Sequence, residues 1–395
     1  ITVSEQDGDV VGTAVTDDDG VFLLLLPGPG VYLAELDPST LPEGVTLKNP
    51  EQNPATTDVE EGQIDRIIFS TQVGDAVADG GGGVSFRQIA QLTLEGIKLG
   101  LFLGMGAIGL SLIFGTTGLV NFAHGELVGW GMLVAYFFNV MGFAGVFGFM
   151  SGWPAPFGGG VNLIFATLFA IAGGIILGWS FDKLVFAPLR RRGSSLISQM
   201  VVTIGISLFL RYVYLFAFRG APRFFADYTA QRDIPWIPVV DITPKDAITV
   251  ILSVIVLVGV GLFLIRARMG KAMRAVADNR DLAESSGIDV QRVIRFVWIL
   301  GGGLAGLGGV FIGLSEQVSW NIGFRILLLL FAAVVLGGLG TAYGALVGAL
   351  LIGIGIQVST LVVPTELKNV GALVVLILVL VVRPEGILGR KERVG

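Results

Sequence analysis

Hydrophobic positions change their rhythm once along this chain. From residue 86 onward they form long runs broken by short polar patches. The runs at 96–117, 126–147, 162–183, 199–217, 247–265, 294–314, 326–338, 343–360 and 368–382 approach the 17 to 25 residues that cross a bilayer as helix. Those at 326 and 368 are short, so the pattern predicts eight or nine transmembrane helices. Ahead of them, 86–97 carries Phe86, Ile89, Leu92 and Ile97 partly at helical spacing, which suits an interfacial approach. Residues 1–72 read differently. Short strand-like stretches at 10–16, 21–26, 31–36, 44–49 and 63–70 are separated by turn sequences, "DDDG" at 17–20 and "PGPG" at 27–30. They predict a small all-β sandwich. Residues 73–85, rich in glycine and small side chains, read as a linker to the α-helical polytopic membrane domain at 86–395.

Composition sharpens this division. Of 395 residues, 53% are hydrophobic and 14% charged, against about 25% charged in soluble domains. One soluble core of this size does not hide that much apolar surface. Residues 1–80 hold 16 acidic and 2 basic side chains, a net of −14; residues 81–395 hold 15 and 24, a net of +9. The basic residues gather in three connections: Lys183 with Arg190 to Arg192; Arg266, Arg268, Lys271, Arg274, Arg280, Arg292 and Arg295; and Arg383, Arg390, Lys391 and Arg393. The excess of Lys and Arg places all three on the cytoplasmic side, the N-terminal domain outside and the C-terminus inside. The external 220–246 loop, with Arg223, Arg232 and Lys245, runs against that rule locally, and Trp236 reads there as an interfacial anchor. The chain starts at Ile1 rather than Met, and a removed signal peptide is the natural expectation.

Chemistry-bearing residues are few. There is no cysteine, one histidine (His124), and no GxxxxGK[ST], HExxH or GxSxG motif, which argues against an enzyme and against a metal or nucleotide held by this chain. The basic clusters are explained by topology, and no nucleic-acid motif is present. Asp17 to Asp19 fits a solvated turn better than a calcium loop. The densest polar block is "FGTTGLVNFAHGELVGWG", 114–131, with Thr116, Thr117, Asn121, His124 and Glu126 between apolar runs. Such groups are expensive in a membrane unless satisfied. The block reads as a clasp closing a helix break, as a gating or translocation-path element, or as a proton relay. Arg211, inside the fourth span, must snorkel, pair, or face a protein interface. Glycine-dense stretches at 96–109, 301–309 and 336–355 serve either close helix packing or a breathing gate. The loop at 266–293 predicts two short helices, 270–278 and 281–286, stopped at Gly287, with Asp289 capping the next span. That is a shape for docking another protein, or an unengaged surface loop.

"GLSLIFGTTGLVNFAHGEL" (109–127), "GKAMRAVADNRDLAESSGIDVQRV" (270–293), "VVLGGLGTAYGALVGALLIGI" (334–354) and "VVRPEGILG" (381–389) resemble the permease subunits of bacterial branched-chain amino acid ABC transporters, the LivH type, which has urea and amide relatives. The resemblance covers about 300 of the 395 residues. It implies an inner-membrane importer built with a second related permease, two ATP-binding cassette subunits that use ATP and Mg, and an extracytoplasmic solute-binding protein. It implies ATPase coupling at 266–293, through Arg274, Asn279, Arg280, Ala283, Glu284 and Gly287. Asn121, His124, Gly125 and Glu126 match that family's first characteristic block, which implies a structural or gating role; with Thr117 and Arg211, singled out by their own positions, the gating or path candidates are Thr117, Asn121, His124, Glu126 and Arg211. The alternatives are a urea or short-amide importer and an ATP-independent channel or secondary transporter. Residues 7–37 resemble carboxypeptidase-regulatory-like, prealbumin-like β-sandwich modules, which are accessory domains.

Overall fold

A computed structural model describes residues 1–59 with short gaps, 67, 69, 71–73, 86–145, 150, 152–155, 157–218, 220, 222–228, 234, 240–363 and scattered residues from 367 to 388. The chain divides into two compact units, Ile1–Gly83 and Val84–Gly395.

The first unit holds an antiparallel four-stranded sheet and a two-stranded one. The larger orders β2 (Val10–Thr13), β1 (Thr2–Glu5), β3 (Gly30–Glu35) and β5 (Ala55–Val59); the smaller pairs β4 (Val45–Leu47) with β6 (Thr71–Val73). Val3, Tyr32, Ala34 and Val59 form a small core, flanked by Val11, Leu24 and Leu26. One expectation needs correction, two fall largely outside the described residues, and two strands were not foreseen. The described residues of 21–26 form no strand: Leu24 and Leu26 reach the core while Leu23 and Leu25 stand exposed, so the alternation exists without a ladder. Most of 63–70 and nearly all of the expected linker at 73–85 lie outside the described residues. Strands β1 and β5 were not expected, because "TVSE" and "ATTDV" offer little apolar periodicity, yet β1 is central to the sheet.

Among the described residues of the second unit six helices are long and apolar enough to span a membrane, against the eight or nine expected. They are α1 (Phe86–Thr117), Leu163–Arg191, α5 (Leu196–Phe218), α6 (Pro244–Arg266), α9 (Val290–Ser315) and α11 (Ala342–Ser359). Leu163–Arg191 is α3 (Leu163–Ser180), a π-helical turn at Phe181–Phe186 and α4 (Ala187–Arg191). Two expected spans fall short. The run at 126–147 forms α2 (His124–Tyr136), then one π-helical turn, and stops at Gly142 with φ 60°. With that turn the helical stretch runs 124–141 and rises about 25 Å, short of a hydrocarbon layer of about 30 Å. The run at 326–338 forms α10 (Ile322–Gly337), about 24 Å of rise against a hydrocarbon layer of about 30 Å. Most of 368–382 lies outside the described residues, as does Trp236.

Helix α1 is the axis of the unit. Its neighbours α9 and α11 run antiparallel to it: Gly109 meets Gly301, and Gly96 and Gly115 meet Ile354 and Gly340. A Cβ on Gly96 or Gly353 would enter the facing backbone, and the same holds between Gly174 and Gly302 where α3 crosses α9. At these crossings the glycines serve close packing. The arrangement brings 117–118, 182–196, 290–295 and 336–340 to one end, where Ile387 N–H bonds Leu336 O. Lys98, Asp246 and Leu314 gather at the other.

Candidate functional site

The 114–131 block is a break between two helices. Helix α1 ends at Thr117, whose Oγ1 donates to Ile113 O (2.6 Å) and accepts from Leu119 N–H (3.1 Å). Gly118, at φ 69°, reverses the chain. Asn121 Oδ1 then accepts from Ala123 N–H (3.0 Å), and Thr203 Oγ1 on α5 accepts from Phe122 N–H (3.1 Å). Helix α2 therefore starts inside the bundle. Its first residue, His124, is fully buried and donates Nε2–H to Gly106 O (2.8 Å). Gly106 lies eleven residues, or about 17 Å of rise, from the end of α1.

Glu126 follows two positions into α2 and is 1% exposed. Its Oε1 accepts from Ser207 Oγ (3.1 Å), and Arg211 Nε lies 3.8 Å away, near enough to pair but too far for a hydrogen bond. Tyr214 Oη donates to the Glu126 carbonyl (3.0 Å). Among the described residues Glu126 Oε2 and Arg211 Nε have no hydrogen-bond partner. Helix α5 presents Gln199, Thr203, Ser207, Arg211 and Tyr214 three or four positions apart, one polar stripe facing the break. The Arg211 guanidinium lies over the Phe324 ring (3.9 Å to its centroid) in the first turn of α10. There Gly125 and Gly323 touch backbone to backbone, so a Cβ on either would strike the other's carbonyl. Two short helices thus bring their N-terminal ends together beside Glu126, where partial positive charge favours an anion.

Of the five path candidates, Glu126 and Arg211 meet directly. Thr117, Asn121 and His124 instead shape the turn. No hydrogen bond among the described residues joins His124 to Glu126, so none supports a relay between them. Sequence reasoning missed Tyr214 and Phe324. The spacing 207, 211, 214 marked Tyr214, whereas nothing in the sequence tied Phe324 to Arg211.

The loop at 266–293 forms α7 (Arg268–Asp278) and α8 (Arg280–Ser285). Met273, Val276 and Ala283 are buried. Asn279 Oδ1 accepts from Leu282 N–H (2.9 Å) and so caps α8, Gly287 closes it at φ 85°, and Asp289 caps α9. Arg274, Arg280 and Glu284 are exposed, as is Leu282. Beside this loop, Asp182 is fully buried, 2.5 Å from Arg190 Nη2 and 3.6 Å from Arg295 Nε. Arg190 also donates to Gln291 Oε1 (3.2 Å). Among the described residues no group of three His, Cys, Asp or Glu side chains is placed to hold a metal.

Comparison with known proteins places this bundle. Residues 92–381 match the family described as branched-chain amino acid transport system / permease component. The high-affinity branched-chain amino acid transport system permease protein LivH of Escherichia coli strain K12 is 31% identical over 315 residues, 78% of this chain and 97% of the relative. The corresponding permease protein BraD of Pseudomonas aeruginosa is 29% identical, over 76% of this chain and 96% of its own. A probable LivH of Methanocaldococcus jannaschii is 28% identical over 72% and 87%. No solved structure matches significantly. With most of its length, and the whole helix break, inside the match, the chain belongs to the permease components of branched-chain amino acid transport systems, which are transport subunits rather than enzymes.

Proposed function

We propose that this chain is the permease subunit of an ATP-driven importer of branched-chain amino acids in the bacterial inner membrane. It forms the path with a second related permease, and the path runs past the break between α1 and α2. An extracytoplasmic solute-binding protein delivers the substrate, and two ATP-binding cassette subunits dock at 266–293. Exposed Arg274, Arg280, Leu282 and Glu284 make that contact, while Asn279, Ala283 and Gly287 hold α8 in shape. The 1–72 domain is an extracytoplasmic accessory module, and the C-terminus lies in the cytoplasm. The observation that carries this reading is the constellation of Glu126, Ser207 and Arg211, a charged site at a helix break inside the bundle of a transport family. Reconstitution of the full complex in proteoliposomes tests it. ATP-dependent uptake of L-leucine is expected. Uptake of urea in its place, or uptake without nucleotide, sinks the reading.

A further inference from the structure

Resting on that reading, we propose that Glu126 and Arg211 form the permease's own binding site for an amino-acid zwitterion. The substrate carboxylate is taken by Arg211 and its ammonium by Glu126, with the pair partnering itself when the site is empty. Three observations carry this.

First, the pair is incomplete. Its ions stand 3.8 Å apart, and among the described residues the carboxylate's one direct hydrogen bond comes from a neutral hydroxyl, with Glu126 Oε2 and Arg211 Nε left over. A buried pair kept for stability alone has no advantage over apolar residues of similar volume. Two charges with spare hydrogen-bonding capacity are instead what a ligand with one charge of each sign requires.

Second, the Arg211 end of the pair is open to one side, while Glu126 lies behind it, 1% exposed. The Arg211 side chain is 17% exposed, and its guanidinium rests on Phe324, which is 52% exposed. Leu208 and Leu328, one helical turn from Arg211 and Phe324 respectively, are exposed as well. Charged ends directed inward and apolar side chains at the rim match an amino acid with an aliphatic side chain. Urea can hydrogen-bond to either group but, without charged ends, neutralises neither.

Third, the position is fixed by backbone. Gly125 and Gly323 hold the first turns of α2 and α10 together. Their positive ends offset part of the cost of keeping a carboxylate there while no ligand is bound.

The test uses the complete complex in two arms. In the first, the double variant Glu126→Gln/Arg211→Gln removes both charges, so neither is stranded in the bundle. The expected result is assembly at wild-type yield with L-leucine uptake reduced at least tenfold. Wild-type uptake by the double variant overturns the proposal. The second arm needs no variant, and so holds if that one fails to fold. Titration calorimetry on the wild-type permease–ATPase complex without its solute-binding protein compares L-leucine with 4-methylpentanoate, which lacks the ammonium, and with 3-methylbutylamine, which lacks the carboxylate. Each analogue is expected to bind at least tenfold more weakly than leucine. Equal binding of either, or no leucine binding, overturns the proposal. If the wild-type complex carries no leucine with ATP, the functional reading has failed instead; if it does and the double variant does too, only this inference has.

Discussion

Two buried carboxylates divide the labour of this bundle. Asp182, in the π-helical turn after α3, is 2.5 Å from Arg190, a residue eight positions along the same connected helix, and Arg295 stands behind it. Glu126, at the start of α2, has its nearest cation 3.8 Å away on a helix 85 positions further on. Asp182 has two guanidinium groups around it, one of them in direct contact and tied further to Gln291. Glu126 has a neutral hydroxyl in contact and a guanidinium out of hydrogen-bond range. The difference teaches that burial of a charge is no guide to its role. The first pair staples α4 to the start of α9, next to the α7–α8 loop. The second stands at a helix break with no cation in hydrogen-bond contact; among the described residues each site leaves one carboxylate oxygen over, Asp182 Oδ2 as much as Glu126 Oε2, so contact with a cation is what separates them.

Asp182→Ala gives the largest expected effect. It strands the buried Arg190 and takes a partner from Arg295, which is 40% exposed, so a loss of about 3 to 5 kcal/mol is expected, carried by Arg190. The measurement is an unfolding titration in mixed micelles, set beside leucine uptake per folded complex. Uptake per folded complex is expected to stay near wild type. If it collapses while stability holds, the staple is part of the transport machinery and the contrast drawn above is wrong.

Gly125→Ala comes next. The new methyl group would meet the Gly323 carbonyl and the Leu327 side chain, so α2 and α10 must part. Overpacking of this kind costs about 1 to 3 kcal/mol. Because the shift displaces Glu126 relative to Arg211, uptake per folded complex is expected to fall as well. Gly205→Ala is the control and is expected to do neither, because nothing stands within 4 Å of the place its methyl carbon would take.

Ser207→Ala removes the hydroxyl that Glu126 Oε1 accepts from and leaves a buried carboxylate with less support, a cost of about 1 to 3 kcal/mol. If Glu126 meets substrate, the apparent KM for leucine in the assembled system is expected to move more than the unfolding midpoint. The reverse pattern would make Ser207 and Glu126 a second staple.

How far these features could be read in advance depended on distance along the chain. Helices α1, α5, α6 and α9 were legible because each is one apolar run, and α9 begins where Asp289 said it would. The α7–α8 pair was legible in its stop at Gly287, which acts on its immediate neighbours, whereas the capping of α8 by Asn279 was not read. The end of α2 was not. Residues 137–141 stay apolar except for Asn139, whose amide bonds Val161 O, Asp227 Oδ2 and Ala226 N–H. Those partners lie 22 to 88 positions away, so no local pattern announced them. The same holds for the site. Glu126 and Arg211 were each conspicuous as charges in apolar runs, but their pairing required the fold, and so did Phe324 beneath the guanidinium.

Tyr214→Phe is the smallest of these changes. The hydroxyl donates to the backbone carbonyl of Glu126, not to its carboxylate, and the ring stacks on Trp130 at 6.1 Å. Phenylalanine keeps the ring and loses one hydrogen bond, so about 0.5 to 1.5 kcal/mol of stability is expected to go. A carbonyl in the first turn of a helix still has its intrahelical partner, which puts the loss at the low end of that range. The leucine KM therefore discriminates more sharply than stability does. If the first turn of α2 positions Glu126, freeing its carbonyl loosens the carboxylate, and KM is expected to rise about two- to fivefold with little change in the maximal rate. If KM is unchanged, α2 is held firmly enough by the Gly125–Gly323 contact alone, and Tyr214 belongs with the packing residues rather than with the polar stripe.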